Sequence, residues 1–200
     1  MKILFISLGC DKNLADSEEM LGLLTGNGHE IVDSEEEADA IVINTCCFIH
    51  DAKEESVNTI LEMAEYKKTG TCKILIVTGC MAQRYKEEIT KEIPEVDAVL
   101  GTTSYGDIVK ALNEAEAGHV FQEFKDINAL PEDSGRRVIT TGGHFGYLKI
   151  AEGCDKHCTY CIIPSLRGKF RSVPEEGRVY GFPGSQGINS RCTGNNRLWY

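Results

Sequence analysis

Short apolar runs alternate with stretches of helical periodicity along the first 115 residues. The runs at 2–7, 40–44, 73–78 and 97–100 read as strands, the last of them short. Between and after them lie helical patterns at 16–27, 52–68, 82–91 and 105–116. The first helix is expected to bury Met20, Leu21, Leu23 and Leu24 and to stop at Gly28. The second is expected to bury Val57, Ile60, Leu61 and Ala64. Strand and helix in regular alternation predict an α/β fold, a parallel sheet covered by helices. Periodicity fades over 120–141, where Pro131, Asp133, Ser134 and Gly135 mark a linker. A strand is expected to restart at 146–151, followed by a cysteine-containing loop over 152–171 that runs through Pro164 to Arg167, Lys169 and Arg171.

These signals divide the chain into an amino-terminal α/β domain (1–120), a linker (121–141), the opening of a second domain (142–176) and an anomalous tail (177–200). The tail has no acidic residue, many glycines and asparagines, and no period of either kind. It reads as a flexible tail or as the product of a shifted reading frame. A domain that starts with a strand and a cysteine loop and then dissolves is not self-sufficient, so the chain is expected to be an incomplete piece of a larger protein.

Composition narrows the function. The chain carries 21 basic and 31 acidic side chains, a formal net charge of −10. An evenly acidic surface argues against a dedicated nucleic-acid binder, which needs clustered Lys and Arg. No secretory signal opens the chain and no run is long enough to span a membrane, so a cytoplasmic, non-membrane protein is expected. In that compartment nine cysteines call for metal or thiol chemistry rather than disulfides.

The cysteines fall into two sets. Cys154, Cys158 and Cys161 form a C-x3-C-x2-C loop, tight enough to wrap one metal centre. Three thiolates on a four-iron cluster leave one iron open for a substrate or cofactor. Zinc would want a fourth ligand, for which only His157 lies inside the loop; unrelated cysteines are the third reading. Cys10, Cys46 and Cys80 each follow a predicted strand. In an open α/β sheet the loops leaving the carboxyl ends of the strands gather on one edge, so these three can form a second site. The alternative is that they are ordinary buried cysteines. Cys47 reads as a bystander, and Cys72 and Cys192 as structural or incidental. Asn13 and Asn44 are candidates to hydrogen-bond the loops that present the thiols. Asp16 or Ser17 reads as a helix cap. Gly9, Gly79 and Gly153, each preceding a cysteine, would let the backbone approach a cluster.

CDKHCTYC at 154–161 resembles the signature of the radical S-adenosylmethionine enzymes. SLGCDKNLADSE at 7–18, INTCCFIHDAKEES at 43–56, VTGCMAQRY at 77–85 and YLKIAEGCDKHCTYCIIPSLRGKFRS at 147–172 resemble the methylthiotransferases of that class. The resemblance covers roughly 1–172. SLGCDKN, AKEES and YLKIAEGCD lean toward the branch that modifies an aspartate of a small-subunit ribosomal protein, rather than the branch that modifies a transfer-RNA adenosine. Asp11 and Cys47 depart from the usual proline and glycine, and neither departure removes a candidate ligand.

The resemblance implies an amino-terminal α/β domain followed by the start of a radical (β/α) partial barrel. It implies two 4Fe-4S clusters, one held by Cys154, Cys158 and Cys161 and an auxiliary one held by Cys10, Cys46 and Cys80. It also implies S-adenosylmethionine as cofactor, with Tyr160 near its adenine or packed beside the cluster. A 5′-deoxyadenosyl radical would abstract a hydrogen from the aspartate β-carbon, which polar chemistry cannot activate, and sulfur would come from the auxiliary cluster. A reductant such as flavodoxin or ferredoxin, and a monomeric enzyme, are implied as well. Arg167, Lys169 and Arg171 would face an acidic substrate or solvent. An electron-transfer or zinc-binding module is the competing reading from another class.

Overall fold

The computed structural model describes residues 1–130, 136–142 and 145–173. The tail at 177–200, with Cys192, lies outside them, as do Pro131, Asp133, Ser134 and Gly135 of the linker. Six parallel strands form one sheet: β1 (Lys2–Ser7), β2 (Glu30–Val32), β3 (Ala40–Thr45), β4 (Ile74–Gly79), β5 (Ala98–Leu100) and β6 (Phe121–Glu123), in the order β2-β1-β3-β4-β5-β6. The four predicted strands are all present. The three-residue edge strands β2 and β6 are additional, and β6 lies in the segment expected to be linker.

Every residue of β3 and β4 is buried, which is why both read as unbroken apolar runs: a parallel strand covered on both faces has no solvent side. Alternate residues feed opposite faces. Ile41, Ile43, Leu75, Val77 and Val99 pack under α2 (His50–Thr69) and α3 (Cys80–Glu92) through Ile60, Met63, Ala64, Met81, Ala82 and Ile89. Ile3, Val42, Ile76, Ala98 and Leu100 pack under α1 (Asp11–Gly26) and α4 (Ile108–Glu116) through Met20, Leu24, Ile108, Ala111 and Leu112. Leu61, expected in the core, is 49% exposed, and Met63 takes a core place instead.

Since α1 lies on one face and α2 on the other, the winding of the chain reverses between β1 and β3. At such a switch point the loops diverge and leave a crevice outside the carboxyl ends of the strands. α1 also begins at Asp11, five residues before its predicted start. Asp16 and Ser17 therefore sit inside the helix and do not cap it.

Beyond the sheet, residues 136–140 lie along α1. Buried Glu18 accepts from Arg137 Nε (2.9 Å) and from Thr140 N–H (2.8 Å). The strand expected at 146–151 is confined to β7 (Ala151–Glu152), which pairs antiparallel with β8 (Arg171–Ser172). Between them the cysteine loop leads into one helical turn, α5 (Ile163–Arg167), with Pro164 in its first turn, where a missing N–H costs nothing. No helix among the described residues is long and apolar enough to cross a membrane.

Candidate functional site: thiols at the switch point

β1, β3 and β4 are neighbours, and their registers set the cysteines in line. Ser7 pairs with Asn44, and Thr45 pairs with Gly79. Extending both registers past the ends of the ladders brings Gly9, Cys46 and Cys80 level, with Cys10 one residue further. Contact distances agree: a Cβ built on Gly9 would sit 2.7 Å from Cys46 Cβ and 3.0 Å from its Sγ. Cys10 is the exposed N-cap residue of α1, while Cys46 and Cys80 are buried. Cys80 opens α3, where the unsatisfied N–H groups of the helix favour negative charge.

Asn13 ties these loops together. Its Nδ2 donates to Leu8 O and to Thr45 O, both at 3.0 Å, one carbonyl from each of the loops after β1 and β3. Asn44 Nδ2 donates to Asn13 O (2.9 Å) and to Ser17 Oγ (2.9 Å). Asn13 and Asn44, expected to hydrogen-bond the loops that present the thiols, do so. Cys80 Sγ donates to Asn13 Oδ1 at 3.7 Å. Ser56 of α2 was not foreseen: its buried hydroxyl accepts from Cys46 N–H (3.0 Å) and donates to Cys46 O (2.8 Å), clamping the loop after β3. Cys47 and Cys72 pack into the core.

Gly79 has φ +93° and ψ −158°, a conformation essentially restricted to glycine. The space it leaves is filled by protein: a Cβ there would lie 2.3 Å from Asn44 Oδ1 and 2.5 Å from Thr45 O. Backbone closure of the strand ends accounts for this glycine, not room for a cluster.

The second cysteine set sits on the loop between β7 and α5. Cys154 N–H donates to Gly168 O (3.0 Å), Cys161 N–H to Cys158 O (3.0 Å), and Lys156 N–H to Cys154 Sγ (3.4 Å). Cys158 and His157 are exposed. Tyr160 is 85% exposed and takes no packing role among the described residues.

The largest departure from expectation concerns Arg167. It faces neither substrate nor solvent, being 3% exposed. Its Nη1 donates to Asp16 Oδ2 (2.9 Å) and Glu152 Oε1 (3.1 Å), and its Nη2 to Asn13 Oδ1 (2.6 Å). Lys149, its side chain also buried, completes the ring by pairing with Asp16 and with Glu152 (2.8 Å). Two cations and two anions thus neutralise one another out of water, the arrangement a buried charge requires.

Burial opposes the charge of Arg167, but Asp16, Cys80 and Glu152 hold its pKa above the usual arginine range. Burial would raise Glu152, yet Lys149 and Arg167 pull it down to about 2. Burial pushes the Cys80 thiol up to about 11, opposed by the positive charge of the nearby Arg167 guanidinium. Arg171 donates to the carbonyls of Arg167, Lys169 and Ala129. The sequence held one signal for this ring: Lys149 and Glu152 are opposite charges flanking a short apolar run. Their partner Asp16 is over 130 residues away.

Among the described residues, no three His, Cys, Asp or Glu side chains stand close enough to hold a metal ion. The fold brings Cys10, Cys46 and Cys80 to one edge without closing them into a ligand shell. The donors are sulfur throughout, which suits iron–sulfur clusters or zinc and not a hard cation. The Lys156 amide donating to Cys154 Sγ would steady that sulfur as a thiolate ligand.

A doubly wound α/β domain with thiols at its switch point, continuing into a C-x3-C-x2-C loop, is therefore the class these features define. The model of the Uncharacterized protein family UPF0004 matches residues 2–101, half of the chain, and the chain belongs to that family. It is 66% identical over 179 residues to the ribosomal protein uS12 methylthiotransferase RimO of Lachnoclostridium phytofermentans, covering 90% of this chain and 41% of that protein. The proteins of the same name from Clostridioides difficile and Geobacter sulfurreducens are 52% and 48% identical, covering 86% and 88% of this chain and 39% of each protein. These relatives bear out the resemblance of the motifs to the radical S-adenosylmethionine methylthiotransferases. The chain spans about two fifths of the length of the curated relatives it matches.

Proposed function

We propose that this chain forms the amino-terminal domain and the first cluster loop of a methylthiotransferase that modifies the β-carbon of an aspartate in ribosomal protein uS12. The observation that carries the reading is the alignment of Gly9, Cys46 and Cys80 at the ends of three adjacent parallel strands, with Cys10 beside them, at the sheet's switch point. Cys10, Cys46 and Cys80 would hold an auxiliary 4Fe-4S cluster, and Cys154, Cys158 and Cys161 a second one that binds S-adenosylmethionine at the start of a (β/α) barrel. When bound, those groups supply the radical and the sulfur.

The chain's own residues present and orient the thiols. Asn13 fixes the loops after β1 and β3 against one another, and Ser56 locks the backbone at Cys46. Tyr160 is exposed on the cluster loop, where it could stack on an adenine. A reductant such as flavodoxin or ferredoxin would deliver the electron.

The test is mass spectrometry of uS12 from cells with and without the gene, and with Cys46→Ala. A methylthio group on the aspartate is expected only with the native gene. Modification of a transfer-RNA adenosine instead, with uS12 unchanged, would refute the substrate assignment.

A further inference from the structure

Arg167 belongs to the stretch after Cys161, yet it spends its side chain on the amino-terminal domain. α5 ends at Arg167, and Gly168 follows with φ +71° and ψ −163°, turning the chain so that its carbonyl accepts Cys154 N–H at 3.0 Å. From the same point the guanidinium reaches Asn13 Oδ1 at 2.6 Å, the oxygen that Cys80 Sγ also addresses at 3.7 Å. A short path therefore joins the two thiol sets: Cys154 amide, Gly168 carbonyl, Arg167 side chain, Asn13 carboxamide, Cys80 sulfur. Thr102 Oγ1, donating to Leu166 O at 2.7 Å, pins the helix from the sheet side.

We propose that Arg167 is a positioning residue shared by both thiol sets, fixing Cys80 and Asn13 against the helix that anchors Cys154 and setting a permanent positive charge beside the Cys80 sulfur. This rests on the reading that both sets hold clusters. Three features demand arginine. Its planar fork serves Asp16 and Glu152 through Nη1 and Asn13 through Nη2, which one ammonium cannot match in geometry. Asp16, Glu152 and Lys149 neutralise the burial of the ring, so the fork stays where it is. Asn13 Oδ1 accepts from Arg167 Nη2 at 2.6 Å, a tighter hold than the 3.7 Å contact from Cys80 Sγ. Its Nδ2 thus stays on Leu8 O and Thr45 O.

A cation that shares a hydrogen-bond acceptor with a ligand sulfur lies close enough to favour the reduced state of a cluster. Removing it should make reduction of the auxiliary cluster harder and leave the other less affected. The anaerobically reconstituted protein is compared as native, Arg167→Gln, Arg167→Lys and Asp16→Asn, by reductive titration followed by EPR. Alongside, amide exchange is measured on the metal-free forms. Arg167→Gln is expected to shift the auxiliary potential negative, with partial recovery in Arg167→Lys. Asp16→Asn, which keeps the cation and removes an anion, should not shift it negative. In the metal-free arm, Arg167→Gln should speed exchange roughly tenfold both at Cys154 and around Asn13 and Cys80.

Unchanged potentials in Arg167→Gln, or faster exchange confined to 150–173, would overturn the proposal. If Arg167→Gln fails to fold, a native-like potential in Arg167→Lys with exchange unchanged at Asn13 overturns it too. Native protein that takes up no iron at Cys10, Cys46 and Cys80 defeats the methylthiotransferase reading instead, and the exchange arm alone then decides the positioning claim.

Discussion

Gly79 carries two constraints at once, a backbone angle that side chains avoid and a Cβ position already filled by Asn44 and Thr45. Gly79→Ala is expected to cost about 2–4 kcal/mol, combining strain and clash. Gly106→Ala, where a Cβ meets nothing within 4 Å, should stay within about 0.5 kcal/mol; urea unfolding of the two metal-free variants checks the contrast. Glu152 gives a pH signature. Its folded pKa, about 2, lies below the ordinary carboxylate value of 4.5, so the stability it contributes is present above that ordinary value. It is lost as pH falls toward the folded pKa. The stability gap between native and Glu152→Gln should be constant from pH 7 to 5 and shrink below pH 4.5. A gap that widens on acidification would contradict the ion-pair assignment.

Among elements, β3 and β4 were legible because both their faces are buried, leaving unbroken apolar runs in the sequence. β2 and β6 were not, since two half-buried residues and one exposed residue at a sheet edge carry no period. The start of α1 was hidden for a different reason. Asp11, Lys12 and Asn13 look like a solvated loop, yet Asn13 is buried, as are Asp16 and Glu18, whose partners lie more than 100 residues away. Pattern reading assigns charge to solvent, and long-range pairing defeats it. The placement of Cys10, Cys46 and Cys80 on one edge was readable from strand order alone, while Ser56 was not, because a serine in a helix announces nothing until its partner is known. Ser56→Ala is expected to cost about 1–2 kcal/mol by leaving the Cys46 amide buried without its acceptor. That amide should also exchange faster while those of β4 stay protected.

Across the whole molecule, the buried ring of Asp16, Lys149, Glu152 and Arg167 joins the sheet domain to the cysteine loop. Such rings contribute little net stability but are costly to break singly. Arg167→Met should cost about 3–5 kcal/mol in the metal-free protein, whereas replacing all four with apolar residues of similar volume should cost much less. Urea midpoints of the two variants decide it. The ring explains how two sets of cysteines, one dispersed over 70 residues and one packed into eight, can share a fixed geometry.

The claim that everything else depends on is that each set of three cysteines holds its own cluster. Iron and sulfide analysis with Mössbauer spectra of the anaerobically reconstituted protein tests it, comparing native with Cys10→Ala/Cys46→Ala/Cys80→Ala and Cys154→Ala/Cys158→Ala/Cys161→Ala. The account predicts about eight irons per chain in the native protein and about four in each variant, as two independent four-iron sites require. Zinc without iron, or an iron count unchanged when Cys10, Cys46 and Cys80 are removed, would contradict it.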